Sequence, residues 1–301
     1  MEGKIIDGEA VAASIQKELE KEIQALKNAK KVVSLAAVQV GENPSSRVYI
    51  KNQQKTCEEL GMDYTLHELP ASTTQKELIT FIEKLNRDSQ VTGIILQMPL
   101  PEGINPREVQ WKIAPEKDVE GMHPSNLGRL FYGQSVVAPC TAKAAVTLLQ
   151  SIGVPLKGLE VVMVGHSEIV GKPAAVMLLE SLREAPTVTV CHIATRDLAF
   201  HTKRADVVIV AAGKPGLIRA DMVKEGVILI DIGINRVPVL DEKGQQVLND
   251  KGKPKKKTVG DADFEGIKPK AAYITPVPGG VGPVTVAMLL KNTVEAAKVA
   301  Q

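Results

Sequence analysis

The chain has 301 residues, 44% of them hydrophobic and 24% charged, which suits two globular domains with sizeable cores. A net charge of +2 and only 3% aromatic residues argue against a nucleic-acid partner, and no run of about 18 apolar residues marks a membrane span. Cys57, Cys140 and Cys191 are odd in number and far apart, and Met1–Gly8 has no apolar leader, so reduced thiols, no zinc site and a cytoplasmic location are expected.

Val11, Ile15, Leu19, Ile23 and Leu26 recur at steps of three or four and predict an amphipathic helix over 9–29. Val32–Val40 reads as a buried strand, followed by a turn in which Asn43 caps a helix beginning at Pro44 and ending at Gly61. On that helix Tyr49 and Gln53 are one turn apart and share a face. A strand (64–69), a helix (75–86) and a strand (91–97) follow, the alternation of a parallel sheet, and 114–126 reads as loop. A helix over 141–152 leads to a second alternating block, with strands at 159–164, 187–191, 207–210 and 227–231 and a helix through Leu179. Residues 237–258 are polar and rich in Gly and Lys; they predict an exposed loop or hairpin, with Lys255–Lys257 a solvated face. A final amphipathic helix runs from Thr285 to Ala300.

Four segments carry a resemblance. They are Ser46-Arg47-Val48-Tyr49-Ile50-Lys51-Asn52; Ile95-Leu96-Gln97-Met98-Pro99-Leu100-Pro101 with Pro115-Glu116-Lys117-Asp118-Val119-Glu120-Gly121; Val164-Gly165-His166-Ser167-Glu168-Ile169-Val170-Gly171-Lys172-Pro173; and Thr275-Pro276-Val277-Pro278-Gly279-Gly280-Val281-Gly282-Pro283-Val284-Thr285. In order and spacing, over nearly the whole chain, they resemble the methylenetetrahydrofolate dehydrogenase/methenyltetrahydrofolate cyclohydrolase family. The resemblance implies two α/β domains: a folate-binding catalytic domain (1–145 completed by 285–301) and a Rossmann-like, doubly wound NAD(P)-binding domain (146–284). It also implies a homodimer formed through the cofactor domains.

By the same resemblance, Tyr49 stacks on the folate rings, Gln97 lies near the reacting carbon, and Glu120 takes the place of the usual Asp that binds the pterin's amino edge. Pro278, Gly279 and Gly280 bring backbone to the substrate. Gly165, His166, Ser167, Ile169, Ile193, Val281 and Thr285, with Thr141, Gly213 and Ile234, line the cofactor pocket. The expected substrate is 5,10-methylenetetrahydrofolate. A strand end, a glycine and a helix start form the usual cradle for a pyrophosphate, although Ser167 and Val170 stand where a second and third glycine would be.

Departures from the family pattern bear on chemistry. His166 replaces the usual Arg after the first glycine, and Ile193 replaces a Ser after Cys191-His192; both weaken a 2′-phosphate site and favour NAD over NADP. No acid stands at that strand end to hold a ribose hydroxyl, and Arg196 is close enough in sequence to serve a phosphate. Gln53 replaces the family's lysine, whose proton transfer serves the cyclohydrolase; an amide does not titrate. Lys51 and Lys55 point about 160° away from Gln53 on a helix. The expectation is a methylenetetrahydrofolate dehydrogenase whose cyclohydrolase is weak or lost. A fully bifunctional NADP-dependent enzyme and a non-catalytic folate- or nucleotide-binding protein stay open as alternatives.

Overall fold

The computed structural model describes residues 3–43, 46–241, 245–248 and 252–300. Pro44, expected to open the second helix, lies outside them.

The elements in chain order begin with β1 (Lys4–Ile5), α1 (Gly8–Asn28), β2 (Ser34–Val40), α2 (Ser46–Leu60), β3 (Asp63–Leu69), α3 (Gln75–Arg87) and β4 (Gly93–Leu96). Then come α4 (Pro106–Gln110), α5 (Pro124–Phe131), α6 (Cys140–Ser151), β5 (Glu160–Val164), α7 (Gly171–Leu178), β6 (Thr187–Cys191), α8 (Leu198–Arg204), β7 (Val207–Val210) and β8 (Ile228–Asp231). The hairpin strands β9 (Asn235–Pro238) and β10 (Lys256–Val259) precede α9 (Phe264–Ile267), β11 (Tyr273–Ile274) and α10 (Val281–Val299).

The chain divides into two compact units, one of residues 12–143 and 285–301, the other of residues 1–11 and 144–284. In the first unit, β2 pairs in parallel with β3 on one side and β4 on the other. Six of the seven residues of β2 are buried, as a central parallel strand covered on both faces requires. Leu78, Ile82 and Leu85 of α3 pack on Ala36, Val38, Ile94 and Leu96. Thr74 and Glu77 form a reciprocal capping box at the start of α3. The segment after α4 runs beside β4: Ile94 N–H donates to Lys117 O at 2.8 Å, which brings Asp118 level with Ile94. The expected loop over 114–126 therefore ends early. His123 caps α5 through its side chain and Pro124 occupies the first turn, where its missing N–H costs nothing.

The second unit holds a six-stranded sheet in the order β1-β11-β8-β7-β5-β6, and its neighbouring strands all pair in parallel. Counting from β5, the strands β6-β5-β7-β8-β11 follow the doubly wound order 2-1-3-4-5. Such a sheet opens a crevice at the carboxyl ends of its first and third strands, here β5 and β7. The four residues of β7 are all buried, and so are those of β8. The first residues, expected with the catalytic domain, belong here instead, because Lys4–Ile5 extend this sheet by pairing with Tyr273–Ile274. Within the segment 237–258, β9 and β10 pair antiparallel with Lys256 opposite Pro238, and Lys255–Lys257 are exposed.

Candidate active site

The first unit gathers a polar cluster at the end of β4. Gln53 on α2 and Gln97 after β4 are 5% and 6% exposed, and Gln97 Nε2 donates to Gln53 Oε1 at 2.8 Å. The Gln97 backbone is itself fixed by donating to Val38 O. Tyr49, one turn before Gln53, stays 41% exposed, with its hydroxyl pKa raised by desolvation, so a ring face remains available for stacking. Lys51 and Lys55 are exposed, and Lys55 pairs with Glu59 at 3.6 Å, so neither substitutes for a lysine at position 53.

Glu120 lies beyond the Asp118 bridge and is half-buried. Desolvation, with the neighbouring Asp118 charge second, pushes its carboxyl up to about 8; a backbone bond from Leu96 and a side-chain bond with Gln110 act in the opposite direction. Asp118 is 3% exposed and accepts His123 N–H at 2.7 Å and Asn126 Nδ2 at 2.9 Å, both on Oδ2. These bonds tie the start of α5 to the segment that carries Glu120. Asn292 on α10 does similar work, donating to Val119 O and Ala138 O at 2.8 Å each, while Lys143 Nζ donates to its Oδ1 at 2.9 Å. The Lys143 pKa is lowered by burial.

Sequence reading missed Asp118, Asn126, Lys143 and Asn292 as site-supporting groups. Asn292 was discoverable: it falls between Met288 and Ala296 at helical spacing on a buried face, where a polar residue must have partners.

In the second unit, Gly165 follows β5 with φ +126°, and a Cβ there would stand 2.2 Å from Ala211 O at the end of β7. A Cβ on Gly171 would stand 2.1 Å from Gly165 O. This close-packed turn admits only glycine at either place and leaves backbone, not side chain, facing the crevice between β5 and β7. The geometry therefore fits a dinucleotide pyrophosphate. Ser167 folds the turn, its Oγ accepting Val170 N–H at 3.2 Å. His166 and Ile169 are exposed, as are Ile193 and Ile234. Across the crevice Asp261, fully buried, accepts N–H bonds from Ala212 at 2.6 Å and Gly213 at 2.8 Å; Gly213 thus shapes the loop while its N–H is engaged. Asp231 accepts three backbone N–H groups, from Gly233, Asp261 and Ala262, yet burial pushes its carboxyl up to about 6.

Pro278–Gly280 sits against the start of α1. Gly8 N–H donates to Gly279 O at 3.0 Å, and a Cβ on Gly8 would stand 1.8 Å from Gly280 O. Gly279 has φ +100°, which a side chain would strain. Val281 is buried at the first position of α10. Thr141 and Thr285, expected beside the cofactor, belong to the unit that carries Tyr49.

Comparison with known proteins decides the relationship. Residues 6–120 match the catalytic domain, and residues 139–301 the NAD(P)-binding domain, of the tetrahydrofolate dehydrogenase/cyclohydrolase family. The chain belongs to this family. A relative called bifunctional protein FolD, from Moorella thermoacetica, is 48% identical over 99% of this chain and 100% of its own. The crystal structure of the bifunctional FolD of Campylobacter jejuni superposes with a TM-score of 0.88 at 45% identity, covering 98% of each chain. That of Trypanosoma brucei, complexed with NADP cofactor and inhibitor, gives 0.88 at 39% identity, covering 99% of this chain and 98% of its own.

Proposed function

We propose that the protein oxidises 5,10-methylenetetrahydrofolate to 5,10-methenyltetrahydrofolate with NAD as the preferred hydride acceptor, and that its cyclohydrolase activity is weak or lost. The observation that carries this reading is the buried Gln53–Gln97 hydrogen bond. Loss of hydride from a carbon flanked by two nitrogens yields a resonance-stabilised cation and needs no general base, only orientation. When bound, the nicotinamide accepts the hydride. The protein's side chains then have positioning roles: Tyr49 offers a ring face, Gln97 is held at a fixed angle by Gln53, and Glu120 receives the pterin's amino edge. Pro278–Gly280 presents backbone to the substrate.

Hydrolysis of the methenyl product is different, since water must add and a C–N bond must open, with protons moved at each stage. Gln53 can hold a water but exchanges no proton near neutrality. NAD is favoured because His166 and Ile193 present neither a guanidinium nor a hydroxyl to a 2′-phosphate. A homodimer through the second unit is supported by its edge strand β6, where Val190 is 47% exposed. The names of the relatives favour a second reading, a fully bifunctional enzyme.

The test is steady-state oxidation of methylenetetrahydrofolate by purified protein with NAD and with NADP in separate reactions. The proposal requires turnover with a higher kcat/KM for NAD. Ligand binding without turnover would contradict the dehydrogenase, and a higher value for NADP would contradict the cofactor preference.

A further inference from the structure

Two stretches of backbone meet beside Glu120. Gly121, at φ +72°, is pressed so closely on the chain at Ala138–Pro139 that a Cβ on it would stand 2.5 Å from the Ala138 carbonyl carbon. Asn292 on α10, 0% exposed, joins the two stretches through one amide. Its Nδ2 has two hydrogens, and both are used at 2.8 Å, one on Val119 O and one on Ala138 O. Cys140 Sγ lies 3.4 Å from the same nitrogen and itself donates to Val119 O at 3.4 Å. The other end of the amide is engaged as well, because Lys143 Nζ donates to Oδ1 at 2.9 Å. An ammonium accepts no hydrogen bond, so this contact decides which end of the amide faces the two carbonyls.

We infer that Asn292, its amide oriented by Lys143, is a positioning residue of the folate site that sets the angle at which Glu120 meets the pterin's amino edge. This rests on the reading of Glu120 as the group that receives that edge. The Val119 carbonyl belongs to the planar peptide unit that ends at the Cα of Glu120, so fixing the carbonyl fixes the plane from which the side chain departs. On the other side of Glu120, the contact of Gly121 with Ala138–Pro139 fixes the following peptide unit. The carboxyl end is held by the Leu96 N–H and the Gln110 side chain. A carboxylate that takes two parallel N–H donors needs both oxygens aligned with them. A misplacement of about 1 Å costs about 100-fold in rate even when the altered residue is remote from the chemistry.

Packing and positioning have different consequences. Loss of packing alone lowers the folded fraction and touches every ligand alike. Loss of positioning weakens the folate ligand alone, and only while the Glu120 carboxylate is there to be displaced, so the two substitutions are not additive. Lys143 gives a second handle on the same amide. Gln at this position can still donate to Asn292 Oδ1, whereas Met of similar length cannot.

The experiment is calorimetric titration of the full-length protein with tetrahydrofolate, which carries the pterin's amino edge, beside KM for NAD from initial rates, in Asn292→Ala, Glu120→Gln and the double variant. Tetrahydrofolate affinity should fall about tenfold in Asn292→Ala, the scale of one displaced charge-assisted contact, while KM for NAD stays within about twofold. In the Glu120→Gln background the same substitution should cost less than about twofold more. If Asn292→Ala does not fold, Lys143→Met takes its place in the cycle with the same pattern expected, and Lys143→Gln should keep the affinity of the unmodified protein. Equal losses in the two backgrounds would overturn the inference alone, as would unchanged affinity in Asn292→Ala or equal affinity in Lys143→Met and Lys143→Gln. Undiminished tetrahydrofolate binding by Glu120→Gln would instead overturn the reading of Glu120 and this inference with it.

Discussion

Replacing Gln53 with lysine should restore a proton-transfer group and weaken the fold at the same time. Gln53 is 5% exposed and its Oε1 accepts the Gln97 amide at 2.8 Å. Lysine has no acceptor, so the Gln97 donor loses its buried partner, at a cost of about 1–3 kcal/mol. For a protein of this size that corresponds to a fall in Tm of roughly 2–4 °C for each kcal/mol. Burial also depresses the new ammonium's pKa toward neutrality, where it can exchange protons with water and the methenyl carbon's leaving nitrogen. Positioned acid–base catalysis is worth about 10²–10⁴ in rate, so Gln53→Lys should raise methenyltetrahydrofolate hydrolysis by at least about 100-fold over the unmodified protein. The assay follows decay of the methenyl absorption band with nicotinamide omitted, against enzyme-free buffer. Gln53→Met is the control, because it removes the same acceptor but cannot titrate. Equal hydrolysis rates in the methionine and lysine variants would refute the reasoning, whatever their stabilities.

Replacing His166 with Arg and Ile193 with Ser together should shift the kcat/KM ratio toward NADP by about 10- to 100-fold, read from initial rates with each cofactor at pH 8. Asp261→Ala leaves the Ala212, Gly213 and Asn235 donors without their acceptor and should cost about 3–5 kcal/mol, measured by urea denaturation; a loss below about 1 kcal/mol would mean that water satisfies them. Glu120, whose carboxyl is pushed up to about 8 in the folded chain against about 4.3 unfolded, contributes stability that is fully present below pH 4.3 and is lost as pH rises through 8. Denaturation midpoints should therefore decline across that window, and Glu120→Gln should flatten the decline. The same proton must leave before the carboxylate can accept the pterin's amino edge, so the folate KM should fall with rising pH up to about 8, a trend absent in Glu120→Gln.

Much of the fold was legible because central strands such as β2, β4, β7 and β8 are almost wholly buried apolar runs with loops between them. β6 and β7 sit where Thr187–Cys191 and Val207–Val210 predict them. Short elements escaped. The strands Lys4–Ile5 and Tyr273–Ile274 are two residues each, too short to show a period; the second pairs with β8, and the first is a strand only because it pairs with the second. α4 carried a local signal, Asn105 capping a helix with Pro106 in its first turn, that the apolar period alone does not detect. At the candidate site the sequence motifs single out Tyr49, Gln97 and Gly165 but carry no sign of the links among side chains. That Gln97 donates to Gln53 depends on where α2 packs, and that His192 lies against His166 depends on which strand ends are neighbours in the sheet; both are properties of a whole unit. Asn292 is distant from Val119 in sequence and reaches it only through the packing of α10.

On the proposed reading, the amide at position 53 uncouples hydride transfer from hydrolysis. The deciding measurement adds methylenetetrahydrofolate and NAD to the purified protein and records reduced nicotinamide and methenyltetrahydrofolate together. The two should rise in step, and methenyltetrahydrofolate should then decay no faster than in enzyme-free buffer. Reduced nicotinamide accumulating while methenyltetrahydrofolate disappears faster than in buffer would contradict it.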